Sequence, residues 1–105
     1  MTHELLHRID KFSVPAEARD EFLDQINAIH RLLGRQPGIL RNEVAQLVQG
    51  DSTFDVVTMV AWESRAAAEA AGRAIADDAA ARGFDRIAFM QRLGVTGDFG
   101  TYVIA

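Results

Sequence analysis

The spacing of apolar residues predicts that the chain begins with a short strand and a long amphipathic helix. Residues 4–13 mix apolar and polar positions in short alternation, which favours a strand. From Ala18 to Leu33, apolar residues recur every three or four positions and form one face of a helix of about five turns. Pro15 suits the first turn of this helix, and Gly34 marks its end.

Two strands joined as a hairpin are predicted for the middle of the chain. Residues 39–48 and 54–63 have strand patterns, and the polar turn residues 49–53 lie between them. In the first of these strands, alternation places Leu40 with Asn42 on one face. The second strand is apolar on both faces, with Val56, Thr58, Val60 and Trp62 on one side and Val57, Met59 and Ala61 on the other. Such a strand belongs in the interior of a sheet.

An alanine-rich helix follows directly over residues 65–82, with Ser64 as its N-cap. Its inner stripe consists of small residues, with one larger side chain: Ala68, Ala71, Gly72, Ile75 and Ala79. This stripe has two interpretations. The small residues either let the helix lie close to the sheet or leave room for a flat ligand beside Trp62. A short helix over 84–93 and a last strand over 99–104 complete the chain.

This order of elements predicts a ferredoxin-like α+β fold, βαββαβ, with a four-stranded antiparallel sheet and the helices on one face. We expect residues 1–105 to form one domain. The other face of the sheet would be bare, with Val57, Met59 and Leu47 exposed on it. An apolar face of this kind predicts a homodimer in which the two sheets pack against each other.

Composition narrows the functions that are compatible with this fold. The net charge is −4 and the 11 Lys and Arg residues are scattered, which argues against nucleic-acid binding. No apolar run approaches the roughly 20 residues that cross a membrane, and the N-terminal segment lacks the apolar core of a signal peptide. The absence of cysteine favours the cytoplasm. No metal cluster or phosphate-binding loop is evident, so no cofactor is expected.

Two short motifs resemble the antibiotic biosynthesis monooxygenase family. Pro37-Gly38-Ile39-Leu40 follows the amphipathic helix, and Trp62-Glu63-Ser64 closes the third strand into the second helix. The resemblance implies a dimeric α+β barrel with a ligand pocket between the sheet and the helices of each protomer. Some members of the family oxygenate aromatic polyketides without a metal or flavin, and others degrade haem.

The haem-degrading branch implies a histidine on the second helix and an asparagine on the first strand. Here the helix reads Ala70-Ala71-Gly72 at the corresponding place, and the first strand has no asparagine. Haem degradation is therefore not expected of this chain.

Four residues are candidates for contact with a substrate: Trp62, Phe12, Thr58 and Tyr102. Trp62 either stacks on a planar substrate or caps the core beneath the helix. Tyr102, on the last strand, either donates a hydrogen bond to a substrate or packs at the edge of the dimer.

Three residues are candidates for catalysis. Histidine is the side chain best suited to proton transfer near neutral pH, so His7 or His30 would serve as a general base, although each is also compatible with an ordinary structural or surface position. Asn42 would donate to an oxyanion, or else face solvent. The sequence thus predicts a cofactor-independent monooxygenase acting on a small aromatic or polyketide-like molecule. The alternative is a binding or accessory protein without catalytic activity on the same scaffold.

Overall fold

The computed structural model of the chain describes residues 4–105, which form four strands and three α-helices. The strands are β1 (Leu6–Ser13), β2 (Ile39–Gln46), β3 (Val56–Trp62) and β4 (Thr96–Tyr102). The helices are α1 (Arg19–Leu33), α2 (Arg65–Arg82) and α3 (Arg86–Leu93), and a 3₁₀ turn over Ala16–Ala18 precedes α1. All neighbouring strands are antiparallel, in the order β2-β3-β1-β4. The predicted ferredoxin-like α+β fold is confirmed.

The helices cover one face of the sheet and bury two groups of apolar side chains against it. One group lies around Phe22 and Val56, which are almost completely buried, and the other lies around Trp62 and Ala71. The aromatic rings of the first group interlock, with the Phe12 and Phe22 centroids 5.0 Å apart. Burial of this apolar surface is the main favourable contribution to folding.

The boundaries of α2 are set by local capping. The Oγ atom of Ser64 accepts a hydrogen bond of 3.1 Å from the backbone N–H of Ala67, so the predicted N-cap is confirmed. The helix ends at Gly83, whose φ of +65° is the left-handed conformation that glycine adopts without strain. The turn from the strand into this helix therefore begins at a fixed position, immediately after Trp62.

Gly34 follows the last residue of α1 but does not adopt the left-handed conformation that glycine often has at the end of a helix. Its φ is −62°, so it needs no left-handed conformation. A Cβ atom at this position would instead lie 3.2 Å from Nδ2 of Asn42, which is tighter than ordinary van der Waals contact. The lack of a side chain at Gly34 thus makes room for Asn42.

Several details of the strand predictions were wrong, including the first residues of the first and third strands, which begin at Leu6 and Val56 rather than at residues 4 and 54. The second strand ends at Gln46 rather than at residue 48, and the last strand covers Thr96–Tyr102 rather than 99–104. A bulge between Ile39 and Arg41 also breaks the alternation in β2. Because a bulge adds one residue to one strand, Ile39 packs with the Trp62 group, and Leu40 is left exposed instead of sharing the face of Asn42.

The alternation in β1 brings charged residues to the helix-covered face. Leu6 and Phe12 are buried there, so the intervening Arg8 and Asp10 lie on the same face. His7 lies on the opposite face, paired with Ala61 of β3 and Tyr102 of β4.

Candidate functional site

A cavity of about 320 Å³ lies between the helix-covered face of the sheet and the helices. Its volume is at the lower end of the range for small-molecule sites. All three helices and strands β1, β3 and β4 contribute to its wall. The lining residues are Leu6, Arg8, Asp10, Phe12, Phe22, Gln25, Ile26, Ile29, His30, Leu33, Thr58, Val60, Trp62, Ala68, Ala71, Gly72, Ile75, Phe84, Arg86, Phe89, Met90 and Thr101.

The small residues of α2 face this cavity. Ala68, Ala71 and Gly72 all line it, and a Cβ atom at Gly72 would meet no heavy atom within 4 Å. Both interpretations of the alanine stripe apply in part: Ala71 is 1% exposed and packs with Leu6, Val60 and Trp62, whereas Gly72 borders open space. Trp62 itself is 5% exposed and lines the cavity.

His30 and Asn42 form the most specific polar contact at the cavity wall. The Nδ2 group of Asn42 donates to the backbone carbonyl oxygen of His30 over 2.7 Å, and the Oδ1 atom of Asn42 lies 2.5 Å from Nδ1 of His30. A carbonyl oxygen only accepts hydrogen bonds, so the first contact fixes the orientation of the Asn42 amide. The oxygen that then faces the ring requires a proton on Nδ1.

This arrangement determines which nitrogen of the neutral His30 ring can accept a proton. With the proton on Nδ1, the neutral ring of His30 keeps a free lone pair on Nε2. Burial lowers the pKa of His30 below its usual 6.5, although the hydrogen bond with Asn42 and the charge of Asp10 act in the opposite direction. A lowered pKa keeps the ring neutral near pH 7 and thus ready to accept a proton.

On its other side, the His30–Asn42 pair borders a shallow groove at the end of α1. Its lining residues are Asn27, His30, Arg31, Gly34, Arg35, Asn42 and Val44. Because His30 lines both spaces whereas Asn42 lines only the groove, Asn42 supports His30 from behind. The amide of Asn42 is engaged with His30 through both its polar atoms and does not line the cavity. The role of Asn42 as an oxyanion donor stays a prediction.

The structure brings together some of the predicted site residues and separates others. Trp62, Phe12, Thr58 and His30 line the cavity. His7 and Tyr102 lie on the opposite face of the sheet, directly across from each other in neighbouring strands, and neither lines the cavity. They cannot reach a substrate held between sheet and helices, so neither takes part in the function proposed below.

The charged residues of the cavity were not among the predicted site residues. Arg8 and Asp10 form an ion pair of 2.6 Å between Nε and Oδ1, and Arg86 lines the wall at the start of α3. Strict alternation from Leu6 to Phe12 was the signal that would have placed Arg8 and Asp10 on the inner face.

Two kinds of feature are absent from the described part of the chain. Residues 4–105 contain no group of three or more His, Asp or Glu side chains arranged to hold a metal ion. Within the same range, no helix is both long enough and apolar enough to span a membrane. Helix α2 contains no histidine.

Comparison with known proteins identifies relatives of this structure. The sequence profile of the antibiotic biosynthesis monooxygenase family matches residues 6–76. A comparison with proteins of curated function gave no match. Several solved structures share the fold at low sequence identity.

A proposed monooxygenase from Shewanella loihica PV-4 superposes with a TM-score of 0.71 at 20% identity, covering 100% of this chain and 98% of that one. SnoaB, a cofactor-independent oxygenase from Streptomyces nogalater, gives 0.68 at 20% identity over 97% and 94% of the two chains. The heme-degrading protein Rv3592 from Mycobacterium tuberculosis gives 0.61 at 17% identity over 99% and 94%.

Proposed function

Because the chain belongs to the antibiotic biosynthesis monooxygenase family, we propose that it is a cofactor-independent monooxygenase acting on a small aromatic molecule in the cavity beside Trp62. The observation that carries this proposal is the position of His30. It is a half-buried histidine held by Asn42 with its proton on Nδ1, and it lines an otherwise largely apolar cavity. The fold shared with the cofactor-independent oxygenase SnoaB supports the same function.

The proposed reaction oxidises an activated CH₂ group of a substrate such as an anthrone. Nε2 of His30 removes one proton, and the resulting carbanion adds O₂ to give a hydroperoxide, whose terminal oxygen takes the proton back. Loss of water from the hydroperoxide then leaves a carbonyl group. The balance is CH₂ + O₂ → C=O + H₂O, so the substrate itself supplies the electrons and one oxygen atom enters the product.

The remaining cavity residues bind and orient the substrate. Trp62 and Phe12 offer apolar surface to a planar ring system. Trp62 makes no side-chain hydrogen bond with any residue in 4–105, so its indole N–H is free to donate to the developing oxyanion. The largely apolar lining of the cavity disfavours water beside the carbanion.

The test is oxygen uptake by the purified protein with anthrone as the substrate, followed with an oxygen electrode and by absorbance of the quinone product. We expect His30→Gln to lower the rate about 10²- to 10⁴-fold, the usual contribution of a general base. Asn27→Ala, a change at an exposed position on the same helix, is the matched control and should leave the rate unchanged. Equal rates for wild type and His30→Gln would refute the proposal.

The alternative function is ligand binding without catalysis, which the same cavity would serve. Titration of Trp62 fluorescence with anthrone in the absence of oxygen measures binding alone, since the chain has a single tryptophan. Binding without oxygen uptake above the uncatalysed rate would establish this alternative.

We further propose that the chain forms a homodimer through the open face of its sheet. Val57 and Met59 of β3 and Ile9 of β1 are partly exposed on that face. Nε2 of His7, on the same face, is buried without a hydrogen-bond partner in residues 4–105. We place the protein in the cytoplasm, in keeping with its lack of cysteine.

Sedimentation analysis tests the dimer. Met59→Arg would bring a charge into the packed sheets and should yield monomers. Val48→Arg is the matched control, because Val48 is 96% exposed outside the sheet, and this variant should remain dimeric. A monomeric wild type at micromolar concentration would contradict the assignment.

A further inference from the structure

The proposed reaction leaves one group of polar side chains in the cavity without a role. Arg8, Asp10, Gln25, Arg86 and Thr101 all line it. They are contributed by β1, α1, α3 and β4, whereas the wall at the opposite end, around Trp62, is apolar. The cavity therefore has an apolar end and a polar end. The polar end indicates that the ligand carries a polar group in addition to its aromatic ring.

Two arginines meet at this polar end over one aromatic ring. The guanidinium carbon of Arg86 lies 4.7 Å from the ring centroid of Phe99, and that of Arg8 lies 5.8 Å from it. Cation–π contacts hold both side chains in place. Both positive charges therefore lie next to the same ring, and an anionic group of a ligand that binds beside it would be attracted by both.

The protein neutralises these arginines only in part. Arg8 donates through Nε to Asp10, and its two terminal nitrogens make no hydrogen bond within residues 4–105. In the same part of the chain Arg86 has no ion-pair partner. Two positive charges and one negative charge leave a net charge of +1 at the polar end, so an anionic group of a ligand would be attracted there.

Gln25 adds a hydrogen-bond donor that is also unused. Its Nε2 group is buried and has no partner in residues 4–105. Helix α1 contacts α3 through the pairs Glu21–Arg92 and Phe22–Phe89, so the two helices run in opposite directions. Gln25 is one turn further along α1 and therefore lies towards the beginning of α3, near Arg86. Since an unpaired buried amide costs free energy, a ligand oxygen bonded to it is favoured.

The base and the cations are separated across the sheet. Asn42, Val60 and Arg8 are consecutive partners in neighbouring strands β2, β3 and β1. Two strand spacings place Asn42, and with it His30, about 10 Å from Arg8. A ligand that reaches both must be about as long as a fused two- or three-ring aromatic molecule.

We infer that the substrate of this site is an aromatic carboxylate. This inference rests on the function proposed above. Its carboxylate is bound by Arg8 and Arg86, with the Gln25 amide donating to it. Its ring system extends across the sheet beneath the small residues of α2, and this places the carbon to be oxidised beside His30. The carboxylate thus sets the direction in which the ring enters the cavity.

Calorimetric titration with a matched pair of probes tests this inference independently of turnover. 2-Naphthoate and 2-naphthamide have nearly the same shape and differ in charge. We expect the wild-type protein to bind the carboxylate about tenfold or more tightly than the amide. Arg86→Gln should remove about tenfold of the affinity for 2-naphthoate and leave that for 2-naphthamide unchanged.

Arg73→Gln is the control, because it removes the same charge from an exposed position on α2 that does not line the cavity. It should bind both probes as the wild type does. Equal affinities for the two probes, an equal loss in both arginine variants, or no binding of either probe would overturn the inference. If the proposed function is correct and only this inference is wrong, oxygen uptake with anthrone will still depend on His30 in each of those cases.

Discussion

Asn42 holds His30 at two points, through the Nδ1 atom of its ring and through its backbone carbonyl oxygen, at 2.5 and 2.7 Å. The two contacts come from one amide group, so the ring orientation and the end of α1 are fixed together. The base and its support come from different elements, helix α1 and strand β2. Only the packing of that helix on that strand creates the pair.

Asn42→Ala should lower kcat for anthrone oxidation roughly ten- to a hundredfold and leave KM nearly unchanged. Without Asn42 the imidazole is no longer held in its productive orientation, and small displacements of a catalytic group cost about that much. Steady-state oxygen uptake measures both constants, with Asn27→Ala as the control. A rise in KM with constant kcat would instead show that Asn42 contributes to substrate binding.

The pH dependence should reflect the lowered pKa of His30. The rate should rise with pH through a midpoint below 6.5, because the neutral ring is the base and burial disfavours its protonation. Since Asn42 acts to raise the pKa, Asn42→Ala should move this midpoint further down. A midpoint above 6.5 would show that the charge of Asp10 outweighs burial.

Stability should fall at acid pH for the same reason. Below pH 6.5 the unfolded chain binds a proton at His30 that the folded chain resists, so stability is lost as pH falls through the folded pKa. Urea unfolding of wild type and His30→Gln, compared at several pH values, isolates this contribution. The difference between the two proteins should change with pH below 6.5 and stay constant above it.

Gly72→Leu should block the cavity without unfolding the protein. A Cβ atom there meets nothing within 4 Å, and replacing a glycine inside a helix with a good helix former favours folding by up to about 1 kcal/mol. Quenching of Trp62 fluorescence by 2-naphthoate should be lost while the melting temperature holds or rises. Ala76→Leu, at an exposed position on the same helix outside the cavity, should bind normally. Retained binding in Gly72→Leu would show that the ligand lies elsewhere.

Asp55→Ala should destabilise the fold by about 1–3 kcal/mol. The Asp55 carboxylate accepts a bond of 2.8 Å from the backbone N–H of Val14 and one of 2.6 Å from Nη2 of Arg19, so it joins the start of α1 to the approach to β3. Chemical denaturation measures the loss, with the exposed Asp51→Ala as the control. Equal stability of the two variants would mean that water replaces both bonds at no cost.

The sequence by itself determined the order of the elements, because local patterns control them. The spacing from Ala18 to Leu33 specifies an amphipathic helix, and the β-branched, apolar residues of 56–62 specify a central strand, whatever lies around them. Ser64 and Gly83 bound α2 through contacts with their own neighbours in the chain. From this order, the ferredoxin-like topology and the place of Trp62 at the junction of strand and helix followed.

Only the tertiary structure decided which polar residues share the cavity. A single residue of shift moves a side chain to the other face of a strand. The alternation of residues 4–13 therefore did not by itself place Arg8 and Asp10 in the cavity, and a bulge next to Ile39 reversed the expected faces there. His7 and His30 were equivalent candidates in the sequence. Strand alternation directs His7 away from the helices, whereas packing of α1 on β2 brings His30 to Asn42, a contact between residues that no local pattern relates.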